Sequence, residues 1–252
     1  MKSDTICGAM PVRALFARRP DDVQRLFYLP AMKAMAGPYG SVLATSRKPY
    51  RMVPADELEK IAGTPHHGGI VAVAKIRVPT ILDVTAPPRV KLLLVLDGIG
   101  NPHNLGAIAR SAAFFGVTAL LIGEGIGHAL PSDAAYRTAE GGLEWLDLYR
   151  TRDLPRALAA FDPFYRTVAA SLGSDAMALP TLPRDRPIAL VVGNEERGVS
   201  PDVLAACRRQ VRIPGAGSGR VQSLNVAQAT SVLLHTLTAP LAERAPILSI
   251  AE

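Results

Sequence analysis

The sequence predicts an α/β protein in two parts, the larger of which is a parallel sheet covered by helices on both faces. In this larger, C-terminal part, strands of almost unbroken Leu, Val and Ile alternate with helical stretches, which is typical of strands buried on both faces. Pro79, Pro87 and Pro88 interrupt regular structure between the parts. The chain has 252 residues, 48% of them hydrophobic and 20% charged, so it can bury a substantial core.

The first part is predicted to be a small α/β domain. DDVQRLFYLPAMKAM (21–35) and PADELEKIAG (54–63) have helical patterns, whereas the short apolar runs SVLAT (41–45) and GIVAVAKI (69–76) are predicted to be strands.

The second part repeats this alternation more clearly. The runs predicted to be strands are KLLLVLDGI (91–99), VTALLIGEG (117–125), RTVAASLG (166–173) and IALVVGNEERG (188–198). Helical patterns lie between them, as in LGAIARSAAFFG (105–116) and DLPRALAAFD (153–162), and after them in RVQSLNVAQATSVLLH (220–235).

The prolines place the division near residues 79–90, and we expect domains at 1–80 and 91–252 joined by a linker at 81–90. Through Asp83 the chain has 12 Lys and Arg against 7 Asp and Glu, a net charge of +5, whereas the remainder has a net charge of +1. A basic module before a nearly neutral one is typical of a substrate-binding domain joined to a catalytic domain. A randomly basic surface is the alternative interpretation.

Composition restricts the class of protein further. The net charge of +6 favours a polyanionic partner such as nucleic acid. Cys7 and Cys207 lack metal-ligand spacing, which predicts no metal site and favours a reducing cytoplasm. No apolar run approaches the roughly 20 residues that span a bilayer, and the N-terminus lacks the apolar run of a signal peptide. We therefore expect a cytoplasmic protein without a membrane partner.

Ligands of open parallel sheets bind beyond the carboxyl ends of the strands, so the residues after each strand are the candidates for function. In NPHNLGAIARSAAFFG (101–116), Asn104 is a plausible N-cap of the following helix. Arg110 lies on that helix among alanines, either as an exposed surface residue or as a charge that faces a cleft.

Two further segments have unexplained polar residues at the same predicted edge. GNEERG (193–198) places charged residues directly after a buried strand, and Ser200 is a plausible N-cap of the next helix. Farther on, Ile213 ends a predicted strand, and Ser223 and Asn225 stand at the entry of a buried helix. One such residue is enough to cap a helix, so capping alone leaves the second polar residue unexplained.

The segments NPHNLGAIARSAAFFG (101–116), LVVGNEERGVS (190–200) and IPGAGSGRVQSLNVAQA (213–229) together resemble the three signature motifs of the SpoU/TrmH family, in the same order and spacing. These proteins are RNA 2′-O-ribose methyltransferases of the SPOUT superfamily. The resemblance covers roughly residues 91–240. Residues 1–80 are similar, more loosely, to the family's ribosomal-protein-like α/β RNA-binding domain.

The resemblance implies a SPOUT domain whose chain forms a deep trefoil knot around a parallel sheet, a topology that sequence rules would not propose. It implies methylation of a ribose 2′-hydroxyl in structured RNA by a homodimer formed through the methyltransferase domain. The cofactor is S-adenosyl-L-methionine, for which the motifs imply contacts with Gly193, Ile213 and Leu224. The implied catalytic residues are Asn104, Arg110, Glu195, Ser223 and Asn225.

The sequence departs from the family pattern in two places. Asn101 stands where members commonly have Asp, and the glycine-rich GAGSGR (215–220) is longer than in many relatives. Ribosomal RNA is the favoured substrate. The alternatives are a tRNA 2′-O-methyltransferase and a non-catalytic RNA-binding ribosome-assembly factor. A nucleotide-dependent dehydrogenase is disfavoured, because GEGIG (123–127) lacks the spacing of the dinucleotide fingerprint.

Overall fold

The computed structural model describes residues 3–125, 127–215, 221 and 223–239, which form two α/β units, each with its own sheet. The N-terminal unit contains the strands β1 (Ser3–Cys7), β2 (Val23–Tyr28), β3 (Tyr50–Met52) and β4 (Ile70–Lys75). Its helices are α1 (Ala9–Arg18), α2 (Lys33–Thr45) and α3 (Ala55–Ala62). The strand order is β1-β4-β2-β3, in which only β2 and β3 pair in parallel.

Two of the four secondary-structure predictions for this unit are wrong. Val23–Tyr28, predicted to be helical, is strand β2, because Val, Phe and Tyr favour a pleated, half-buried position. The predicted strand 41–45 is the end of helix α2, in which Ala36, Gly40 and Leu43 are buried at helical spacing. The helix predicted at 54–63 and the strand predicted at 69–76 are confirmed as α3 and β4.

The C-terminal unit is one parallel sheet in the order β10-β12-β9-β11-β6-β7-β8-β5, which confirms the predicted architecture. Its strands are β5 (Thr80–Ile81), β6 (Leu92–Asp97), β7 (Ala119–Gly123), β8 (Asp147–Thr151), β9 (Arg166–Ala170), β10 (Met177–Ala178), β11 (Ile188–Gly193) and β12 (Arg209–Arg212). Its helices are α4 (Pro102–Phe114), α5 (Asp133–Ala139), α6 (Leu154–Phe161), α7 (Pro201–Ala206) and α8 (Val226–Thr238).

Helices cover both faces of this sheet. Leu94 and Leu96 of β6 share a core with α4, α5 and α8, whereas Leu93 and Val95 share the opposite core with α6 and α7. Every residue of β6, β7 and β11 is buried, which explains their unbroken apolar sequences. The carboxyl ends of these strands therefore meet at one edge, as the sequence predicts.

The two units are in contact. The core that covers one face of the large sheet continues into the N-terminal unit, where it includes Leu15 of α1 and Leu26 of β2. The residues predicted to be a linker begin at 81, and the short strand Thr80–Ile81 already pairs with β8 of the large sheet. In the part of the chain that the structure describes, no helix has the length and apolarity to cross a membrane.

Both cysteines are free thiols, and Cys7 is buried whereas Cys207 is half-buried. Burial raises the pKa of Cys7 to about 11 and that of Cys207 to about 12. Only the thiolate attacks alkylating reagents. At pH 8 we expect iodoacetamide to modify both thiols on the order of 100-fold more slowly in the folded protein than in guanidinium, as measured by mass spectrometry. Equal rates in both states would contradict this account of the thiols.

Candidate active site

Helix α4 begins at the carboxyl edge of the sheet, one short loop after β6. The side chain of Asn101 caps it by accepting a hydrogen bond from the His103 backbone N–H at 2.8 Å, and Pro102 occupies the first turn. The prediction that Asn104 is the N-cap is therefore wrong. Because Pro102 has no N–H to donate and already has a helical φ, the helix begins there and Asn101 becomes the cap. The carboxamide of Asn104 is thus free to bind other loops.

Asn104 joins the three predicted motif segments. Its Nδ2 donates a hydrogen bond to Oε1 of Glu195, and its Oδ1 accepts one from Nδ2 of Asn225 at 3.2 Å. Asn225 in turn caps α8, because its Oδ1 accepts from the Ala227 backbone N–H at 2.9 Å. We call Asn104, Glu195 and Asn225 the amide hub. The hub unites one residue from each motif at one edge of the sheet.

Asn194 shapes the second motif, although sequence reasoning did not select it. Its Nδ2 donates to the carbonyl of Gly98 at 2.9 Å and to Oε2 of Glu195 at 3.3 Å. Its Oδ1 accepts from the backbone N–H groups of Glu196 and Arg197 at 3.0 and 3.1 Å. An Asn directly after a buried strand is the signal that could have identified it. Asn194 ties the loop after β11 to the loop after β6 and orients Glu195.

Gly193 ends β11 opposite Asp97 of β6. A Cβ at Gly193 would lie 2.2 Å from the backbone of Gly198 and Val199, so only glycine lets the GNEERG loop fold back this closely. Asp97 is buried, and its Oδ2 accepts a hydrogen bond from the Ser200 backbone N–H at 2.7 Å. The end of β11 is therefore packed backbone against backbone.

The structure describes part of the third motif segment, residues 213–229. Ile213 follows β12 directly and is half-buried against the core. Ser223, Leu224 and Asn225 are exposed, and Leu224 keeps 51% of its surface accessible. Helix α8 begins at Val226, directly after the cap that Asn225 provides. Residues 216–220 and 222, which complete the predicted glycine-rich loop, lie outside the described residues.

Arg110 is exposed on α4. Within the described part of the chain, no hydrogen bond or ion pair joins its side chain to the amide hub or to Ser223. Because Arg110 lies six residues after Asn104, its side chain points about 120° around the helix axis from that of Asn104. A single chain therefore brings Asn104, Glu195 and Asn225 together and leaves Arg110 and Ser223 directed to solvent.

The side chains of the hub and Asn194 are mostly uncharged. The hub offers one carboxylate and three carboxamides, counting Asn194, at the edge of a buried sheet. Among the residues that the structure describes, no three His, Cys, Asp or Glu side chains are grouped to hold a metal. A cavity of about 770 Å³ lies at the opposite edge, where Arg89, Lys91 and Arg186 line it. Because that cavity is at the amino ends of the strands, it is separate from the hub.

Two family models match the chain. The one described as "SpoU rRNA Methylase family" matches residues 91–235. The one described as "RNA 2'-O ribose methyltransferase substrate binding" matches residues 5–78.

Individual proteins are similar over most of the chain. The 23S rRNA (guanosine-2'-O-)-methyltransferase RlmB of Acinetobacter baylyi is 31% identical over 250 residues, which cover 93% of this chain and 96% of that protein. The uncharacterized tRNA/rRNA methyltransferase YfiF of Escherichia coli O157:H7 is 32% identical over 231 residues. That match covers 91% of this chain and 66% of YfiF, so the chain spans just under two thirds of this relative.

A solved structure has the same fold. The AdoMet-bound rRNA methyltransferase from Sinorhizobium meliloti superposes with a TM-score of 0.76, covering 93% of this chain and 86% of that one. Its sequence is 21% identical, so it supports the architecture alone.

The packing at Gly193 generates a prediction about stability. We expect Gly193→Ala to lower the free energy of unfolding by about 1–3 kcal/mol, because the added methyl group would overlap the backbone of Gly198. Urea denaturation measures the change. Gly215→Ala is the matched control, since among the described residues its added methyl would meet no non-neighbouring atom within 4 Å. Equal stability of the two variants would contradict the packing described.

The cap of α8 in the third motif also generates a prediction about stability. We expect Asn225→Ala to destabilise the protein by about 1 kcal/mol, because α8 loses its side-chain cap. Ser223→Ala, two residues earlier at an exposed position, should change stability by less than about 0.5 kcal/mol. Thermal unfolding of the two variants under identical conditions tests the difference, and the reverse order of stability would be inconsistent with the cap.

Proposed function

The chain belongs to the SpoU rRNA methylase family, and from this premise we propose that it methylates a ribose 2′-hydroxyl of structured RNA with S-adenosyl-L-methionine. Ribosomal RNA is the proposed substrate, in preference to transfer RNA. The single observation that carries the proposal is the amide hub, because it unites residues of all three motifs that the family resemblance marks as functional. The name of the A. baylyi relative favours ribosomal RNA.

The chemistry of the hub fits this cofactor. When bound, S-adenosyl-L-methionine would supply a methyl group on a positively charged sulfonium. Transfer of that methyl group to the ribose 2′-oxygen would release the neutral thioether S-adenosyl-L-homocysteine, and the hydroxyl proton would pass to solvent. The carboxylate of Glu195 is an acceptor only and is therefore suited to a cation rather than to a phosphate. Gly193, Ile213 and Leu224 are the proposed cofactor contacts. The exposed side chain of Leu224 leaves apolar surface available to an adenosyl group.

The roles of the remaining residues follow from their positions. Glu195 is held by hydrogen bonds from Asn104 and Asn194, so its carboxylate keeps a fixed orientation. Arg110 is a cation on an exposed helix surface. An arginine guanidinium ordinarily has a pKa above 12 and is a poor proton acceptor. Its proposed task is to neutralise an RNA phosphate and the charge that develops on the 2′-oxygen, while Ser223 orients the guanidinium and substrate.

A homodimer through the methyltransferase domain is part of the proposal. Helices α4 and α8 pack together, with the hydroxyl oxygens of Ser111 and Ser231 2.8 Å apart. Beside this contact Phe114 is 83% exposed and Val232 is 40% exposed. Apolar surface of this kind supports an interface. An interface there would place Arg110 near a second subunit, where it can complete a site that one chain leaves open.

The proposal also includes the deep trefoil knot, a cytoplasmic location, and the division into domains at 1–80 and 91–252 with a linker at 81–90. The two family models, which match residues 5–78 and 91–235, support that division. The basic N-terminal part supports an RNA-binding role for the first domain.

The experiment that tests the proposal incubates the purified protein with methyl-labelled S-adenosyl-L-methionine and with rRNA or tRNA from cells that lack the gene. We expect label in rRNA, at a ribose that mass spectrometry identifies as 2′-O-methylated. Label in tRNA alone would move the substrate to the alternative class. No label in either RNA would favour the non-catalytic assembly factor and overturn the proposal.

Arg110 generates a prediction specific to this function. We expect Arg110→Ala to lower the rate of methyl transfer at least about 100-fold, because the developing oxygen charge loses its cationic partner. Binding of S-adenosyl-L-methionine, measured by calorimetry, should not change. Arg156→Ala, which removes an exposed arginine from α6, is the matched control and should keep normal activity. Normal transfer by Arg110→Ala would remove Arg110 from the mechanism.

A further inference from the structure

The contact between the two units is built around one buried carboxylate. Glu144 is 1% exposed and lies in a 3₁₀ turn, Gly142–Trp145, of the C-terminal unit. Arg19 of the N-terminal unit binds both of its oxygens, with Nε–Oε2 at 2.8 Å and Nη2–Oε1 at 2.9 Å. Arg77 adds an ion pair at 3.6 Å. A buried charge is tolerated only with such partners, so the turn requires the N-terminal unit beside it.

The same two arginines enclose the turn with further hydrogen bonds. Arg77 donates to the carbonyls of Leu143 and Leu146. Arg19 donates to the Tyr136 hydroxyl at 3.1 Å and to the carbonyl of Lys75, in its own unit, at 3.0 Å. Burial opposes the charge of Arg19, but its interactions with Glu144, Tyr136 and Asp22 together outweigh this effect and raise the pKa of Arg19 above its ordinary value. Because these bonds are directional, they specify one arrangement of the units.

The turn also contacts the helix that carries Arg110. A Cβ at Gly142 would lie 2.8 Å from the carbonyl oxygen of Ala109 and 2.8 Å from the Cα of Arg110. A Cβ at the preceding Gly141 would lie 3.1 Å from the carbonyl oxygen of Met10, at the start of α1. The segment 141–145 is therefore packed directly between α1 of the N-terminal unit and α4 of the C-terminal unit.

We propose that Glu144 is a positioning residue that holds the N-terminal unit at a fixed place relative to α4 and Arg110. RNA bound by the basic N-terminal unit then meets Arg110 in one geometry. This inference rests on the proposed function for its effect on methyl transfer, but the arrangement of the units is independent of it. Alignment of the reacting atoms is sensitive, since a displacement of about 1 Å can cost on the order of 100-fold in rate.

The chain offers a built-in reporter of this arrangement. Trp145 is the only tryptophan, is 49% exposed, and has the guanidinium carbon of Arg18 at 5.7 Å from its ring centre. Movement of the N-terminal unit away from the turn would expose the indole further. Quenching of its fluorescence by acrylamide therefore reports the contact between the units without any activity assay.

The test compares Glu144→Gln with Glu140→Gln, a matched loss of charge at an exposed position four residues earlier. We expect Glu144→Gln to raise the acrylamide quenching constant of Trp145 about twofold and to lower kcat/KM for RNA at least about tenfold. The dissociation constant for S-adenosyl-L-methionine should stay within about twofold of the wild-type value. A purely structural defect would instead weaken cofactor binding together with catalysis.

A second variant keeps the proposal testable if Glu144→Gln does not fold. Arg77→Lys keeps the positive charge but loses the planar guanidinium that donates to the two carbonyls. We expect it to raise the quenching constant of Trp145 and to lower kcat/KM for RNA, each by less than Glu144→Gln does. Quenching and kcat/KM equal to those of Glu140→Gln, in whichever variant folds, would overturn the proposal. If the wild-type protein transfers no methyl group, the proposed function fails, while Trp145 quenching still decides whether Glu144 fixes the units.

Discussion

The carboxamide of Asn104 is bonded on both sides, to Glu195 through its nitrogen and to Asn225 through its oxygen. These partners are 91 and 121 residues away along the chain, so one side chain sets the spacing of three loops. A hydrogen bond to a charged partner is worth about 1.5–3 kcal/mol, and one between neutral groups about 1 kcal/mol. Through these two bonds Asn104 joins the loop after β11 and the entry of α8 to α4.

The parallel sheet makes this arrangement possible. Its central strands β6 and β11 pair along their whole length, so that Asp97 and Gly193 end side by side. The backbone contact at Gly193 turns the GNEERG loop back over that edge. On the far side of α4, the buried pair of Arg19 and Glu144 attaches the basic N-terminal unit. Helix α4, which Asn101 caps, thus connects the hub at one end with the contact between the units along its length.

The sequence predicted the parallel sheet and its functional edge well, because strands buried on both faces carry an unmistakable apolar pattern. In the N-terminal unit, Val23–Tyr28 and residues 41–45 were assigned the wrong structure. Short apolar segments are compatible with both the helical and the strand periodicity, and tertiary contacts decide between the two. The motif resemblance singled out Asn104, Glu195 and Asn225, but not their bonds. Asn194 and Glu144 were missed, because their importance lies in partners distant in sequence. The catalytic and cofactor-binding roles of all eight site residues, Asn104, Arg110, Gly193, Glu195, Ile213, Ser223, Leu224 and Asn225, stay predictions.

The central claim is that Asn104 and Glu195 act as one unit, and a double-mutant cycle tests it most directly. The free energy of unfolding is measured for the wild type, Asn104→Ala, Glu195→Ala and the double variant. The account predicts that the double variant loses less stability than the two single losses combined, with a coupling of about 1 kcal/mol or more. Losses that add to within about 0.3 kcal/mol would contradict it.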